Sequence, residues 1–195
     1  LIDGEGNFVR GDVLGMLAAR FLGADRVVTP VTSNSAIEGV GWFGRVDRTR
    51  VGSPYVISGM EDAAAGSPGA VVGFEANGGL LLGSEVTING RVLSPLPTRD
   101  AVLPILAVLG TAAKLGESLA GLVRTLPVRA ALSDRLAHVA SERSAAFLTG
   151  LVEQPGYATQ FFAPVGEVQS VSTIDGPRFS LASGDTVHYR ASGNA

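Results

Sequence analysis

Glu75 and Asn77 stand two residues apart in Gly73-Phe74-Glu75-Ala76-Asn77-Gly78-Gly79, a stretch bracketed by apolar runs at 70–72 and 80–82. A carboxylate accepts hydrogen bonds from adjacent hydroxyls, and a carboxamide both donates and accepts. The glycines open backbone angles closed to other residues and let a ligand come close. Together these types suit a strand end that opens into a polyol-binding loop, although a plain glycine-rich turn has the same composition.

A second candidate lies at the C-terminus, where Arg190-Ala191-Ser192-Gly193-Asn194 follows a stretch of alternating polarity. In a strand over 186–190, Thr186, His188 and Arg190 share one face, and Val187 and Tyr189 the other. A guanidinium, a hydroxyl and a glycine that lets successive N–H groups converge form a phosphate nest. A solvated turn is the competing reading of this pentapeptide. His188 is one face-step from Arg190 and close enough to approach a phosphate, but reads first as a strand-surface residue. His138 reads as solvated linker, and Asp3, Glu5 and Asp12 are not expected to hold a metal. Phe74, Phe161 and Phe162 read as packing residues.

The elements that must position these groups follow from periodicity. Asp12 is expected to cap a helix through Val13, Leu14, Leu17 and Phe21, stopped by Gly23. Strands are expected over 26–31, 45–51 and 71–75, and a helix over 54–65. The segment Thr32-Ser33-Asn34-Ser35 supplies N-cap types for a short helix through Ile37, whose N-terminus can also attract an anion. Strands alternating with helices imply parallel β-α-β units, and the expected fold is an open α/β/α sandwich with a mixed sheet. Asp100 is expected to cap a long helix that tolerates Pro104 in its first turn. The helical pattern continues over 119–126 and ends at Pro127. Beyond it come a strand over 128–132, a helix over 142–153 and two or three antiparallel strands over 168–189, making a smaller α+β domain.

Composition narrows the function classes. The chain has 195 residues, 46% of them hydrophobic, enough for real cores in one or two domains. A net charge of −3 gives no reason to expect nucleic acid or an anionic membrane as partner. There is no cysteine, hence no disulfide framework or thiolate metal site. The longest apolar stretch, over 101–109, contains Pro104 and falls well short of the roughly 20 residues that cross a bilayer. No Gly-x-Gly-x-x-Gly follows a strand, which disfavours a dinucleotide-binding enzyme.

Taken in order, several motifs resemble those of the α-D-phosphohexomutases, in the phosphomannomutase/phosphoglucomutase branch. Arg10-Gly11-Asp12, after Ile2-Asp3-Gly4-Glu5-Gly6, is similar to the segment that follows the family's metal loop. Thr49-Arg50-Val51-Gly52 resembles the T-K-V-G loop of its third domain, and Glu75-Ala76-Asn77-Gly78 that domain's G-E-x-S-G-H sugar loop. Arg190-Ala191-Ser192-Gly193-Asn194 resembles the R-P-S-G-T phosphate loop of the fourth domain, and 133–144 the start of that domain. Gly79 stands where many members carry histidine, Asn77 where serine is frequent, and Arg50 where lysine is frequent.

The resemblance implies a mutase that interconverts hexose 1-phosphate and hexose 6-phosphate, of mannose or glucose, in the cytoplasm. An enzyme phosphoserine, Mg²⁺ and a hexose 1,6-bisphosphate intermediate carry the reaction. Glu75, Asn77, Arg50 and Gly52 would bind the phosphohexose substrate, and Arg190, Ser192, Gly193 and Asn194 its non-reacting phosphate. Residues 1–24 would be the tail of domain two, 25–126 domain three, and 127–195 an incomplete domain four. The phosphoserine loop and the Mg²⁺ loop match nothing in these 195 residues, so catalytic and metal-ligating residues are expected in N-terminal domains of the same protein. A non-catalytic phosphosugar-binding module on the same scaffold is the alternative. The 195-residue chain by itself is expected to convert neither mannose 1-phosphate nor glucose 1-phosphate to the 6-phosphate. A coupled assay that detects turnover by the purified chain would overturn this expectation.

Overall fold

Val27, Val28, Val71 and Val72 have no solvent-exposed surface, and around them the sheet of the protein is built. The computed structural model describes residues 1–66 and 69–191, which fall into two units divided between Ala131 and Leu132. Elements of the first unit, in chain order, are α1 (Gly11–Phe21), β1 (Ala24–Pro30), α2 (Ala36–Gly39), β2 (Arg45–Thr49), α3 (Ser53–Ala65), β3 (Ala70–Phe74) and β4 (Leu80–Leu82). They continue with β5 (Val86–Ile88), β6 (Arg91–Leu93), β7 (Leu96–Asp100), α4 (Val102–Leu115) and α5 (Leu119–Arg124). The main sheet has the order β2-β1-β3-β4-β7. β1 runs parallel to β2 and β3, whereas β4 is antiparallel to β3 and β7. This is an α/β fold with a mixed sheet.

Side-chain alternation along the strands gives the sheet two apolar faces, as a buried sheet requires. Val27, Val72, Phe74, Leu80 and Leu82 pack with α1 and α4 in one core cluster. Val28, Val71 and Leu81 pack on the other face with Val56, Met60 and Ala63 of α3. Each fully buried aliphatic side chain contributes about 1.5–3 kcal/mol, so these two clusters hold the layers together. Residues 1–24 lie in this first unit, where α1 rests on the sheet. Its seat is close: a Cβ at Gly15 would come within 2.6 Å of Phe74 Cδ2.

Expected and observed elements agree from α1 to β3, with corrections there and beyond. Asp12 does not cap α1. The N-cap position is Arg10, and Asp12 sits inside the first turn with its side chain 1% exposed. Residues 128–132 form no strand: they have no ladder partner, and the Arg129 carbonyl accepts instead from Asn34 Nδ2 at 2.8 Å. The expected Asp100 cap is present in substance, since Asp100 Oδ1 accepts from Val102 N at 2.7 Å and Leu103 N at 3.0 Å. β4 and β7 are additions to the expected elements, and the helical pattern expected to continue to Leu126 breaks at Gly116 (φ 67°) into α4 and α5. The β5–β6 hairpin is a further addition. Its Asn89 (φ 51°) and Gly90 (φ 74°) occupy the left-handed angles that an Asn-Gly hairpin turn demands.

The second unit contains α6 (Ser141–Glu153), α7 (Tyr157–Phe162), and an antiparallel sheet of β8 (Val168–Ser172), β9 (Arg178–Leu181) and β10 (Thr186–His188) in the order β10-β9-β8. Its small core joins Leu151, Phe162, Phe179 and Leu181, with Phe162 and Phe179 ring centroids 4.7 Å apart. Phe162 is therefore core, whereas Phe161 is 40% exposed at its edge. His138 lies in an exposed loop.

Because Phe74 fills the space beside Gly15, Gly15→Val should destabilise the protein by about 1–3 kcal/mol, the range for forcing extra methyl groups into a packed core. Urea unfolding measures it; an unchanged midpoint and slope would mean that α1 does not rest on Phe74 in solution.

Candidate functional site

The carboxyl ends of the parallel strands β1, β2 and β3 lie side by side, and each opens into a loop: 31–35, 50–52 and 75–79. In open α/β sheets this edge is where ligands bind, because loops there converge while helices cover both faces. Three sets of local contacts shape it.

The first loop is held from below and from both sides. Thr29 Oγ1 donates to Phe74 O at 2.9 Å and lies 2.7 Å from Ser33 Oγ, with both hydroxyl residues buried. Arg48 reaches across from β2: its Nη1 donates to Pro30 O and Ser33 O, each at 2.9 Å. Its Nε and Nη2 form a two-point pair with the Glu38 carboxylate at 2.8 Å each. Five donors in a planar fork make Arg, and not Lys, able to serve all these acceptors at once. Asn34 tops the loop, its Oδ1 accepting from Ala36 N at 3.0 Å to start α2.

Asp12 ties this loop to α1. Its Oδ2 accepts from Asn34 N at 2.9 Å and Arg10 Nη2 at 2.9 Å, and its Oδ1 from Arg10 Nε at 3.1 Å and Val13 N at 3.0 Å. The carboxylate hydrogen bonds raise the Arg10 pKa above its already high value, outweighing partial burial. No oxygen capacity is left on Asp12 for a metal or a substrate. Glu5 pairs with Arg124, and Asp3 accepts from Asn7 N at 2.8 Å and Glu5 N at 2.9 Å, which lowers its pKa. Among the described residues no group of three or more His, Asp or Glu could hold a metal ion.

The second loop carries Arg50 and Gly52. Arg50 is exposed, its Cζ 4.8 Å from the centroid of the Tyr55 ring. Gly52, at φ 130°, turns the chain into α3, where its carbonyl accepts from Tyr55 N at 3.1 Å. The next residue, Ser53, donates from Oγ to Glu75 Oε2 at 2.8 Å. Thus the first residue of α3 positions the carboxylate of the third loop.

The third loop closes on itself: Glu75 N donates to Gly79 O at 3.0 Å, Gly78 N to Glu75 O at 3.0 Å, and Gly79 N to Asn77 Oδ1 at 3.0 Å. Glu75 is buried and Asn77 exposed at the tip. The loop rests on the start of α1, where a Cβ at Gly11 would lie 2.6 Å from Ala76 O and collide with the Gly78 backbone. Sequence reasoning missed Thr29, Arg48 and the bracing role of Gly11 and Asp12. Gly11 and Asp12 carried a signal, a glycine and a carboxylate at the start of a helix, but not their distant partners.

Arg190 belongs to the second unit. Its Nη1 lies 3.7 Å from Asp175 Oδ2, and His188 Nε2 is 2.7 Å from the Asp175 carbonyl oxygen. Asp175 therefore anchors the strand face that was expected to approach a phosphate. Ser192, Gly193 and Asn194 lie outside the described residues. A concavity of about 460 Å³ runs along β2 and α3, lined by Arg45, Arg48, Arg50, Tyr55 and Asp62 among others, without Glu75 or Asn77.

Asp12→Ala should remove four hydrogen bonds, leave Arg10 partly buried without its counter-charge, and destabilise the first unit by about 2–3 kcal/mol, below the cost of stranding a fully buried charge. Amide exchange at Asn34 should accelerate at the same time. Wild-type stability and exchange in this variant would show that the bracing is not used.

Comparison with known proteins bears on the whole chain. The family described as phosphoglucomutase/phosphomannomutase, alpha/beta/alpha domain III, matches residues 10–129. The phosphomannomutase of Sinorhizobium fredii (strain NBRC 101917 / NGR234) is 43% identical over 195 residues, which cover 100% of this chain and 41% of that protein. The phosphomannomutase of Salmonella muenchen is 40% identical over 197 residues, covering 100% of this chain and 40% of its own length. The chain thus spans about two fifths of these curated relatives. In three dimensions it is similar to the crystal structure of a candidate phosphomannomutase from Thermus thermophilus, with a TM-score of 0.56 and 22% identity over 93% of this chain and 34% of that one, a likeness of fold. The chain belongs to the phosphoglucomutase/phosphomannomutase family of the α-D-phosphohexomutase superfamily.

Proposed function

We propose that the intact protein is a phosphosugar mutase acting on hexose 1- and 6-phosphates through an enzyme phosphoserine and a bisphosphorylated intermediate, and that this chain supplies its sugar-recognition loop. The observation that carries the reading is the Glu75 carboxylate, held by Ser53 at 2.8 Å at the carboxyl edge of the parallel strands. A carboxylate has about four lone-pair positions, so fixing one oxygen by Ser53 orients the group and leaves capacity for sugar hydroxyls. Asn77, exposed at the tip of the same turn, adds an amide donor. Arg50 lends positive charge at the neighbouring loop, and Gly52 keeps the approach open.

In this reading, residues 25–126 recognise the sugar and residues 127–195 bind phosphate. Arg190, with Ser192, Gly193 and Asn194, grips the non-reacting phosphate, where a planar guanidinium offers two parallel hydrogen bonds. Positioning of this kind is the main contribution a protein makes to phosphoryl transfer. Mg²⁺ belongs to the proposal for the intact protein; the described residues offer no set of ligands that fits it. The relatives named phosphomannomutase support mannose phosphates as substrates. A cytoplasmic location belongs to the same proposal; among the described residues no helix is long and apolar enough to cross a membrane.

In the intact protein, Glu75→Gln should lower kcat/KM for mannose 1-phosphate by about 10–100-fold, the equivalent of one charge-assisted hydrogen bond of about 1.5–3 kcal/mol. Steady-state kinetics on parent and variant decide it. Equal activity would remove Glu75 from the site. Phosphosugar binding without turnover by the parent would favour a non-catalytic binding module.

A further inference from the structure

Gly79 is small because another side chain passes where its own would be. A Cβ built at Gly79 would lie 3.0 Å from Arg99 Cγ and Cδ and 3.3 Å from Arg99 Cβ. Arg99 comes from β7, and the pairing of Leu80 with both Phe74 and Asp100 places β3, β4 and β7 in adjacent positions at this edge. Alternation then puts Glu75, Gly79 and Arg99 on the face opposite Phe74 and Leu80, the face on which α3 and Ser53 lie. Glu75 and Gly79 are joined directly, Glu75 N to Gly79 O at 3.0 Å. The stem of Arg99 therefore runs over the floor of the turn that carries Glu75 and Asn77.

Arg99 differs from the other arginines at this edge. Arg10 is matched by Asp12 and Arg48 by Glu38, so their charges are used within the scaffold. Arg99 is exposed, and its guanidinium makes no hydrogen bond or ion pair with any described residue, Glu75 included. Its backbone is nonetheless well placed, because Asp100 pairs with Leu80 and caps α4 through Val102 N and Leu103 N. A cation with a fixed root, a stem laid across a side-chain-free glycine and an unshared guanidinium is built to meet an anion arriving at the turn.

We propose that Arg99 is a substrate-contacting residue whose guanidinium holds a phosphoryl oxygen of the phosphosugar bound at the Glu75–Gly79 turn, with Gly79 serving as the gap through which it reaches. The assignment rests on the mutase reading given above. Glu75 would take the hydroxyls and Arg99 the anionic group, so the two opposite charges orient the sugar along the edge of the sheet. Two parallel N–H groups suit a phosphoryl group better than an ammonium does.

The test uses the intact protein with mannose 1-phosphate, glucose 1-phosphate and glucosamine 1-phosphate. Arg99→Ala should lower kcat/KM by about 10–100-fold, mostly through KM, as expected for loss of a charge-assisted contact to a bound anion. Its melting midpoint should stay that of the parent. Arg99→Lys should recover part of the loss. Gly79→Ala should lower kcat/KM in the parent, because its Cβ displaces the Arg99 stem, and should have no further effect in the Arg99→Ala background. Activity of Arg99→Ala equal to that of an active parent overturns the assignment and leaves the mutase reading standing. A loss that tracks a fall in melting midpoint, without rescue by lysine, assigns Arg99 a structural role and also overturns it. A parent inactive on all three substrates overturns the mutase reading and the Arg99 assignment with it.

Discussion

The backbone of Gly11 meets the backbone of Ala76–Gly78 so closely that no Cβ fits between them. Much of the candidate site depends on this contact. Through it the first turn of α1 supports the Glu75 turn, and one residue later Asp12 holds Asn34 N at 2.9 Å in the neighbouring loop. A turn later, Gly15 lets the same helix settle on Phe74, whose carbonyl receives Thr29 Oγ1. A side chain at Gly11 would push the turn outward and draw Glu75 away from Ser53. Helix position and loop position are thus one variable, set where α1 begins.

Charge is distributed to match. Among the described residues no buried side-chain nitrogen or oxygen lacks a partner. Asp12 and Glu38 neutralise Arg10 and Arg48, and these pairs brace loops. Such partly buried pairs are effective as positioning devices because breaking one strands a charge, even when forming it contributes little net stability. The groups that reach solvent at the edge, Arg50, Asn77 and Arg99, rise from a scaffold whose own polar needs are already met.

The second unit repeats the principle on a smaller scale. Its aromatic core, Phe162 against Phe179 with Tyr157 and Tyr189 around it, fixes β9 and β10. Asp175, 8% exposed, then meets His188 through its carbonyl oxygen and Arg190 through its carboxylate. The strand that leads into the C-terminal residues is held by its polar face as well as by its packed one.

Local pattern was sufficient for most of the framework. The helical spacing of Val13, Leu14, Leu17 and Phe21, the valine pairs of β1 and β3, and Pro54 ahead of an apolar helix were legible because each depends on residues near in sequence. The turn type at Asn89-Gly90 is equally local, although its flanking strands are too short to announce a hairpin. Glu75 and Asn77 stood out because a carboxylate and an amide among glycines serve no packing purpose. What the sequence by itself determined was therefore the α/β class, the order of the elements as far as β3 and the chemistry available in the Glu75 turn. The tertiary structure alone decided that Asp12 is a brace and not a cap, because its partner Asn34 lies 22 positions away. It alone revealed Arg48 as the anchor of the 31–35 loop, left residues 128–132 without a strand partner, and laid Arg99 across Gly79. Each of these outcomes turns on which distant backbone or side chain arrives within hydrogen-bond or van der Waals distance, and that is settled by how the layers pack.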